Sequence, residues 1–309
     1  MSLSSSGAVL ATCLLLAACG NSGASTEGAG GGGNTGGGLA SATGVTGATT
    51  SSAQGTSGSN ASSGSGTMGS VGCGHAVTEA MGQWNPKTVD VAGVTRDYFV
   101  YLPPVYDPAR AYPVVYQFHG CSSNPDKESN NVPLQNESGG DAILVRGRAV
   151  ADCWDTSANG PDVALFDAMV SATDAGYCAD PKRRFVAGYS SGSFMTHVLA
   201  CVRGAELRGV ASIAGGQTGS NCTGKVAALL IHDSNDPTVN ISASQGARDQ
   251  YLAANGCGTT TTPFDPSPCV AYDGCTAGLP VVWCQTSGKG HDRQDALSAP
   301  AFWNFLSSL

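Results

Sequence analysis

The stretch "RRFVAGYSSGSFMTHVLACV", residues 183–202, joins a strand pattern to a helix pattern through a tight turn. Its β-rich start favours a strand, and its apolar end favours a helix. Between them, Gly188 and Gly192 flank Ser190 in the pattern G-x-S-x-G. Side chains at these glycines would collide with the neighbouring strand and helix, so the turn holds Ser190 above the sheet edge, at the positive end of the helix dipole. Because the chain has 43 glycines, the pattern alone is weak, and the surrounding sequence must establish whether Ser190 is a nucleophile.

Around this stretch, short β-rich apolar runs alternate with helix-like segments from about residue 96 onward. Such alternation predicts an α/β fold with a mostly parallel sheet covered by helices on both faces. Asp162 is placed to cap the first helix, and Gly256 is placed to end a later one. Strands are predicted at 97–103, 113–118, 142–146, 183–187, 209–215, 226–231 and 279–284, and helices at 162–173, 193–202, 241–256 and 299–309.

The N-terminal apolar run is too short to span a bilayer and is typical of a secretory signal. It ends in "LAAC", which resembles a bacterial lipobox with Cys19 as the acylated residue; an ordinary cleaved signal with a coincidental cysteine is the alternative. Residues 20–71 are almost wholly Gly, Ser, Thr and Ala, which predicts a flexible tether. We therefore expect a lipoprotein signal at 1–19 and one folded domain at 72–309, either extracellular or lipid-anchored at a bacterial cell surface.

Charge and cysteine content narrow the possible partners of this domain. Only 12% of residues are charged, and the net charge of −8 argues against nucleic acid or anionic lipid, so membrane contact is expected only through the lipid anchor. Neither C-x-x-C nor H-E-x-x-H occurs, so disulfides are favoured over metal binding. An even number of cysteines lies in the domain, at positions 73, 121, 153, 178, 201, 222, 257, 269, 275 and 284.

The stretch "FHGCSS", residues 118–123, directly follows a predicted strand and is placed to stabilise negative charge on a reacting oxygen. Gly120 allows close backbone approach, and the N–H of Cys121 is the favoured donor. The N–H of Ser191, which follows the candidate nucleophile, is expected to be the second donor of this oxyanion hole. His119 lies in the same loop, where a structural hydrogen-bonding role is favoured over a role as catalytic base.

The acid and the base are expected downstream of the nucleophile, in the order Ser…Asp…His. The segment "HDSNDPTV" offers two carboxylates, and Asp236 is favoured over Asp233 because it lies on the loop past the strand end. Asp233 is then expected to orient that loop. His291, between the last predicted strand and the last predicted helix, completes the order. The other two downstream histidines, His197 and His232, are favoured as packing and loop-stabilising residues.

These features in this order resemble the extracellular α/β-hydrolase serine esterases that include feruloyl esterases, acetylxylan esterases and polyhydroxybutyrate depolymerases. The resemblance covers roughly residues 96–309 and rests on "YLPPVYDP", "FHGCSSN", "DPKRRFVAGYSSGS", "HDSNDPTV" and "GKGH". It implies an α/β-hydrolase fold with Ser190 as nucleophile, Asp236 as acid and His291 as base.

Details of the resemblance point to different branches of this group. The pairing of "HGC" with a later "CW" resembles the depolymerases and implies a Cys121–Cys153 disulfide, whereas the tail "NGC…VVWC…GH" is closer to the feruloyl esterases. One departure from the family pattern concerns the charged residues Lys289, Asp292 and Arg293 around the histidine, where apolar residues facing the substrate would be expected.

The resemblance implies a serine carboxylic ester hydrolase that needs no metal or cofactor and acts through an acyl-enzyme. Esters of plant cell-wall polysaccharides, such as feruloylated or acetylated xylan, are the favoured substrates. Two alternatives stay open at this point: a hydrolase of hydroxyalkanoate polyesters, and an inactive hydrolase-fold module that binds carbohydrate. An activated serine would distinguish an enzyme from the inactive module.

Overall fold

The computed structural model describes residues 69–122 and 127–309. The predicted signal, the predicted lipidation site Cys19 and residues 20–68 of the predicted tether lie outside the described residues. The helices are α1 (Pro161–Gly176), α2 (Ser191–Val202), α3 (Ser242–Asn255) and α4 (Asp295–Ser307), with short 3₁₀ helices at Lys127–Asn130 and Leu134–Asn136. The strands are β1 (Trp84–Val91), β2 (Val94–Tyr101), β3 (Tyr112–Phe118), β4 (Ile143–Gly147), β5 (Ala179–Tyr189), β6 (Gly209–Ile213), β7 (Ala227–Asp233), β8 (Thr261–Pro263), β9 (Cys269–Tyr272) and β10 (Val281–Thr286).

These strands join in one sheet, in the order β1-β2-β4-β3-β5-β6-β7-β10-β9-β8. The central strands, from β4 across to β10, run parallel to one another. The two outer strands on each side pair antiparallel with their neighbours. The predicted mostly parallel sheet is therefore confirmed. Because parallel strands end at the same edge, the loops after β3, β5, β7 and β10 meet there.

The sequence patterns missed β1, β8 and β9, which are all outer strands of the sheet. β1 alternates between half-buried and exposed positions, β8 is three residues long and exposed throughout, and β9 is only four residues long and mostly half-buried. Pro86 in β1 is tolerated because that strand pairs only with β2, and a proline without an N–H can occupy a sheet edge. Short length and incomplete burial weaken the hydrophobic pattern on which strand prediction depends.

Two apolar cores lie on opposite faces of the sheet. One core contains side chains of α1, α2 and α3, among them Phe166, Met195 and Ala247. The other contains Phe302 and Phe305 of α4. Successive residues of the central strands alternate between the two cores, as the pleat of a strand requires. The prediction of helices on both faces is confirmed.

The predicted capping role of Asp162 is wrong. Gly160 is the N-cap of α1, and Asp162 instead accepts hydrogen bonds from Arg96 Nη2 at 2.6 Å and from the Asp155 N–H at 2.7 Å. This ion pair is buried, so the carboxylate fastens the start of α1 to β2 rather than the helix amides. The predicted end of α3 is confirmed, since Gly256 caps it in the left-handed region with φ 69°.

All cysteines in the described part of the chain are paired, as their even number predicts. The Cys121–Cys153 bond implied by the family resemblance is present. Disulfide-rich domains of this kind belong to oxidising compartments, so the domain is extracellular. The five bonds are Cys73–Cys178, Cys121–Cys153, Cys201–Cys222, Cys257–Cys275 and Cys269–Cys284.

Candidate active site

Three predicted site residues come together at the carboxyl edge of the sheet. Ser190 follows β5, Asp236 lies on the loop after β7, and His291 lies on the loop after β10. Nε2 of His291 is 2.9 Å from the Ser190 hydroxyl, and Nδ1 is 2.8 Å from Oδ2 of Asp236. The imidazole therefore links the hydroxyl to the carboxylate. The Asp236 side chain is fully buried, whereas that of His291 is 17% exposed, so a substrate can approach from the serine side.

The turn around Ser190 has the tight geometry that its glycines predict. Ser190 has φ 52°, in a region that costs energy for a residue with a side chain, and its N–H donates to the carbonyl of Ile213 at 3.0 Å. A Cβ at Gly188 would lie 2.1 Å from the carbonyl oxygen of Gly192. A Cβ at Gly192 would lie 1.9 Å from the carbonyl oxygen of Phe118. Only glycine fits at either position, and the strained serine is held where strand, helix and the loop after β3 converge.

Asp236 is held as a carboxylate by its own turn. Oδ1 accepts the N–H groups of Thr238 at 2.8 Å and Val239 at 2.9 Å, which leaves Oδ2 for His291. Burial acts to raise the pKa of Asp236. The hydrogen bonds from Val239, His291 and Thr238 outweigh burial, so the pKa lies below its ordinary value. A charged carboxylate at this point stabilises positive charge on the imidazole.

Asp233 does not contact His291 but organises the loop that carries it. Its carboxylate accepts hydrogen bonds from the Lys289 N–H, the Thr286 hydroxyl and the Asn235 N–H, each at 2.9 Å. These donors lie on the loops after β7 and β10, so Asp233 ties the two loops together. Asp236 is therefore the aspartate that contacts the histidine, and Asp233 is the one that holds the histidine loop.

The predicted oxyanion donors lie on the loop after β3 and at the start of α2, and both places are joined to the loop before α1. Within the described residues, the N–H groups of Cys121 and Ser191 have no protein acceptor, so both are available to a ligand. The neighbouring Ser122 N–H, by contrast, donates to the carbonyl of Asp152 at 2.8 Å. The Cys121–Cys153 disulfide adds a covalent link at the same place.

Trp154, on the loop before α1, contacts both donor segments, and sequence analysis gave it no role. Its backbone N–H donates to the Ser191 hydroxyl at 3.0 Å, and its indole N–H donates to the carbonyl of His119 at 2.8 Å. His119 also accepts the Ala149 N–H at Nε2, at 3.2 Å. His119 is fully buried, and its contacts agree with the structural role expected from sequence. The dipeptide "CW" was the signal that could have identified Trp154.

Tyr189, inside the G-x-S-x-G motif, also supports the site without having been singled out. Its hydroxyl donates to the backbone carbonyl of His291 at 3.2 Å, and its ring lies 5.4 Å from the imidazole. The same ring occupies the space that a Cβ at Gly120 would need, 2.7 Å away. Tyr189 therefore packs between the loop after β3 and the loop that carries the histidine.

Two of the charged residues around the histidine, Asp292 and Arg293, have hydrogen-bond partners. Arg293 donates to both carboxylate oxygens of Asp295 and, at 2.6 Å, to the carbonyl of Ser129. Asp292 accepts the N–H of Gln294 through its side chain. The departure from the family pattern thus builds a bridge from the histidine loop to the segment after the oxyanion loop.

Neither a metal centre nor a membrane helix is found in residues 69–122 and 127–309. No group of three or more histidine, cysteine or acidic side chains there could hold a metal ion. None of the helices in these residues combines the length and the apolar character that crossing a bilayer requires.

Removing the Cys121–Cys153 disulfide is expected to lower kcat under conditions in which the domain is still folded. The double substitution Cys121→Ala/Cys153→Ala removes a link across 32 residues, worth roughly 3–4 kcal/mol of stability by chain entropy. It also frees the loop with one candidate donor, so we expect kcat to fall by about tenfold or more at temperatures where the variant is folded. Steady-state kinetics and thermal unfolding measure the two effects.

A matched control for this experiment is Cys257→Ala/Cys275→Ala, which removes a bond between the end of α3 and the turn after β9. This control should lose stability and keep kcat within about twofold, because it lies away from the site. If both double variants lose kcat equally, the bond beside the oxyanion loop has no special effect on turnover.

Two buried histidines other than His291 should make the stability of the domain fall in mild acid. Burial lowers the pKa of both His119 and His197 to about 4, whereas an unfolded histidine titrates near 6.5. The unfolded chain therefore binds more protons between these values. Their contribution to stability is complete above about pH 6.5 and is lost as pH falls toward 4. Urea unfolding at pH 7.5, 6 and 5 should show a decline of a few kcal/mol, on the order that such shifts imply.

The His197→Gln variant identifies the source of this decline. His197 is hydrogen-bonded to the hydroxyls of Tyr251 and Ser212, and glutamine can retain one such bond without a titrating group. Its free energy of unfolding should depend less on pH over the same range. Equal slopes in the variant and the parent protein would exclude His197 as a contributor.

Solved structures with the same architecture define the class of this protein. The chain superposes on an acetyl xylan esterase from Aspergillus awamori with a TM-score of 0.55, covering 72% of this chain and 99% of that chain at 17% identity. It superposes on a feruloyl esterase module from Clostridium thermocellum with a TM-score of 0.52, covering 72% and 86% at 14% identity. Together with the sheet order and the turn at Ser190, these likenesses define an α/β-hydrolase fold.

Curated relatives narrow this class to a family, although no protein-family model matches the chain. A probable feruloyl esterase C of Aspergillus terreus is 30% identical over 264 residues, which cover 77% of this chain and 91% of the relative. Feruloyl esterase D of Neurospora crassa is 30% identical over 266 residues, covering 77% and 90%. The chain belongs to the feruloyl esterase family and is a carboxylic ester hydrolase.

Proposed function

We propose that Ser190 is the nucleophile of this esterase, that His291 is its general base and that Asp236 orients the histidine. The observation that carries the proposal is the imidazole of His291, which has one nitrogen on the serine hydroxyl and the other on the carboxylate. Oδ2 of the ionised Asp236 can only accept a hydrogen bond, so the imidazole hydrogen lies on Nδ1. Nε2 is therefore free to take the serine proton.

The reaction then proceeds in two acyl-transfer steps. Ser190 Oγ attacks the ester carbonyl while its proton moves to Nε2 of His291, and the ester oxygen leaves with that proton as the free alcohol. The acyl group is now on the serine. Water attacks this acyl-enzyme, again giving a proton to the histidine, and the carboxylic acid is released as serine regains its proton.

The negative charge that develops on the carbonyl oxygen needs donors that are already in place. We assign this role to the N–H groups of Cys121 and Ser191, which have no protein acceptor within residues 69–122 and 127–309. Ser191 begins α2, so the helix dipole adds to the attraction. The Cys121–Cys153 bond and Trp154 hold the two donors in one arrangement.

The proposed substrates are feruloyl esters of plant cell-wall polysaccharides. The names of the curated relatives support this choice, because both are feruloyl esterases matched over about nine tenths of their length. The net charge of −8 and the low charged fraction of 12% favour a neutral or weakly acidic polymer over a strongly anionic one. Acetylated xylan and polyhydroxybutyrate are the competing substrates within the wider group of esterases.

A hydrolysis panel of methyl ferulate, acetylated xylan and polyhydroxybutyrate tests the substrate assignment. We expect the highest kcat/KM on methyl ferulate, because the curated relatives are named feruloyl esterases. The ratio of kcat/KM values among the competing substrates measures the specificity. Faster release of acetate or of hydroxybutyrate would transfer the protein to one of the other two substrate classes. Labelling by a fluorophosphonate with no hydrolysis of any of the three would show an activated serine with a different substrate.

We further propose that the protein is fixed to a membrane through a lipid on Cys19. The sequence "LAAC" and the glycine-rich segment that follows support this anchor. The parent protein should incorporate labelled palmitate and sediment with membranes, and a Cys19→Ser variant should do neither. A soluble, unlabelled parent protein would mean that the N-terminal segment is an ordinary export signal.

A further inference from the structure

His232 is a buried titratable residue that the proposed mechanism does not use. It lies near the end of β7, four positions before Asp236, and its side chain has no solvent exposure. Burial is the main cause that lowers its pKa, so the ring is neutral near pH 7. A neutral buried imidazole must find partners for both nitrogens, and the identity of these partners shows what the residue does.

One nitrogen of this ring holds the turn that carries the catalytic acid. Nε2 of His232 lies 2.9 Å from the carbonyl oxygen of Val239, which can only accept, so the ring hydrogen is on Nε2. The same nitrogen lies 3.5 Å from Oδ2 of Asp236. Because the Val239 and Thr238 N–H groups donate to Oδ1, the histidine fixes the segment that fixes the carboxylate.

The other nitrogen reaches toward the nucleophile. Nδ1 of His232 lies 2.5 Å from the hydroxyl of Ser244, which is itself 2.6 Å from the carbonyl oxygen of Gly215. Gly215 packs against the nucleophile turn so closely that a Cβ there would lie 2.8 Å from the carbonyl oxygen of Ser190. Ser244 has one hydroxyl hydrogen and can donate it to only one of these two acceptors, so the ring and the backbone behind the serine are connected by packing rather than by a continuous hydrogen-bonded chain. The hydrogen bond that the ring itself donates is the one to the acid's turn.

We propose that His232 is a positioning residue that acts through Asp236. Its Nε2–H holds the turn at Val239 and keeps Oδ2 directed at Nδ1 of His291, so that the imidazole has the correct tautomer when the serine proton arrives. The inference rests on the proposed role of Asp236. It goes further in giving the acid a second histidine neighbour, on the side away from the substrate.

Two substitutions by amide side chains of different length distinguish this positioning role from simple packing. Glutamine places its amide nitrogen where Nε2 stands, whereas asparagine reaches only as far as Nδ1. We therefore expect His232→Gln to keep kcat within about threefold of the parent protein and His232→Asn to lose about tenfold or more, with KM within about twofold in both. His232→Met, which fills the space without a donor, replaces the asparagine variant if that variant does not fold.

The decisive measurement is the effect of His232→Asn on kcat in a protein that already carries Asp236→Asn. If His232 acts through the acid, His232→Asn should lower the remaining kcat by less than about twofold there, because the interaction it supports is already gone. The control is His197→Gln, another buried histidine with two hydroxyl partners, which should change kcat by less than about twofold in either background.

Several results would overturn the proposal. Equal losses in the glutamine and asparagine variants would show that the Nε2 donor is not what matters. A full tenfold loss that persists in the Asp236→Asn background would show that His232 acts independently of the acid. If Asp236→Asn itself retains normal kcat, the proposed catalytic assignment fails instead, and the two failures are thereby distinguished.

Discussion

Ser190→Ala is expected to lower kcat by at least about three orders of magnitude, as removal of a triad nucleophile does in other serine hydrolases. The reason is geometric. The hydroxyl is the group that His291 Nε2 faces at 2.9 Å, on a backbone held at φ 52°, and alanine leaves nothing there to attack the ester. Hydrolysis of a p-nitrophenyl ester measures the loss, and a fluorophosphonate probe should no longer label the variant.

Ser193→Ala is the matched control for this substitution. Ser193 lies three residues later, in the first turn of α2, and is fully buried, and its hydroxyl has no hydrogen-bond partner among the residues that the structure describes. Removing it should leave kcat within about threefold, since no interaction of the site is lost. A Ser190→Ala variant that turns over as fast as this control would remove Ser190 from the mechanism.

Asp236→Asn is expected to cost about four orders of magnitude in kcat, comparable to the effect of the same change in another serine hydrolase. An asparagine amide at this position donates to Nδ1 instead of accepting from it, so the imidazole hydrogen moves to Nε2. Nε2 can then no longer receive the serine proton. The two N–H groups that bind Oδ1 keep the side chain in place, so the defect is electronic rather than a loss of fold.

Asp233→Asn provides the comparison, because it changes an equally buried carboxylate three residues earlier in the same segment. This variant loses some of its acceptor capacity for the loop after β10, and we expect a loss of about tenfold or less in kcat together with lower thermal stability. Should Asp233→Asn be the slower enzyme, the roles of the two aspartates must be exchanged.

The residues that meet at the site were predictable because their chemistry is tied to local sequence. Gly188 and Gly192 are required by the turn itself, and the order of serine, aspartate and histidine is the one typical of this fold, with each residue placed after a parallel strand: β5, β7 and β10. The choice between Asp233 and Asp236 needed only the rule that site residues lie past a strand end. In the structure, the two nitrogens of His291 lie within hydrogen-bond distance of Ser190 and Asp236, and the roles of the three residues stay a proposal that the substitutions above test.

The contacts behind the site were not predictable, because they join residues far apart in sequence. Trp154 reaches His119 and Ser191 through a loop that has no regular pattern. His232 meets Ser244 only because α3 packs beside the end of β7. The role expected for Asp162 failed for the same reason, since its strongest partner, Arg96, lies in a strand 66 positions away. Helix-capping patterns consider only the neighbouring residues in the chain.

The five disulfides also impose an order on biosynthesis. Four of them join cysteines that are 15 to 32 residues apart, so both partners emerge from the ribosome or translocon almost together. Cys73–Cys178 spans 105 residues and must wait until β5 begins to appear. A Cys73 thiol is therefore exposed to wrong partners for longest, including Cys121 and Cys153. Efficient production of this esterase will depend on an oxidising compartment with an isomerase that can release such mispaired chains.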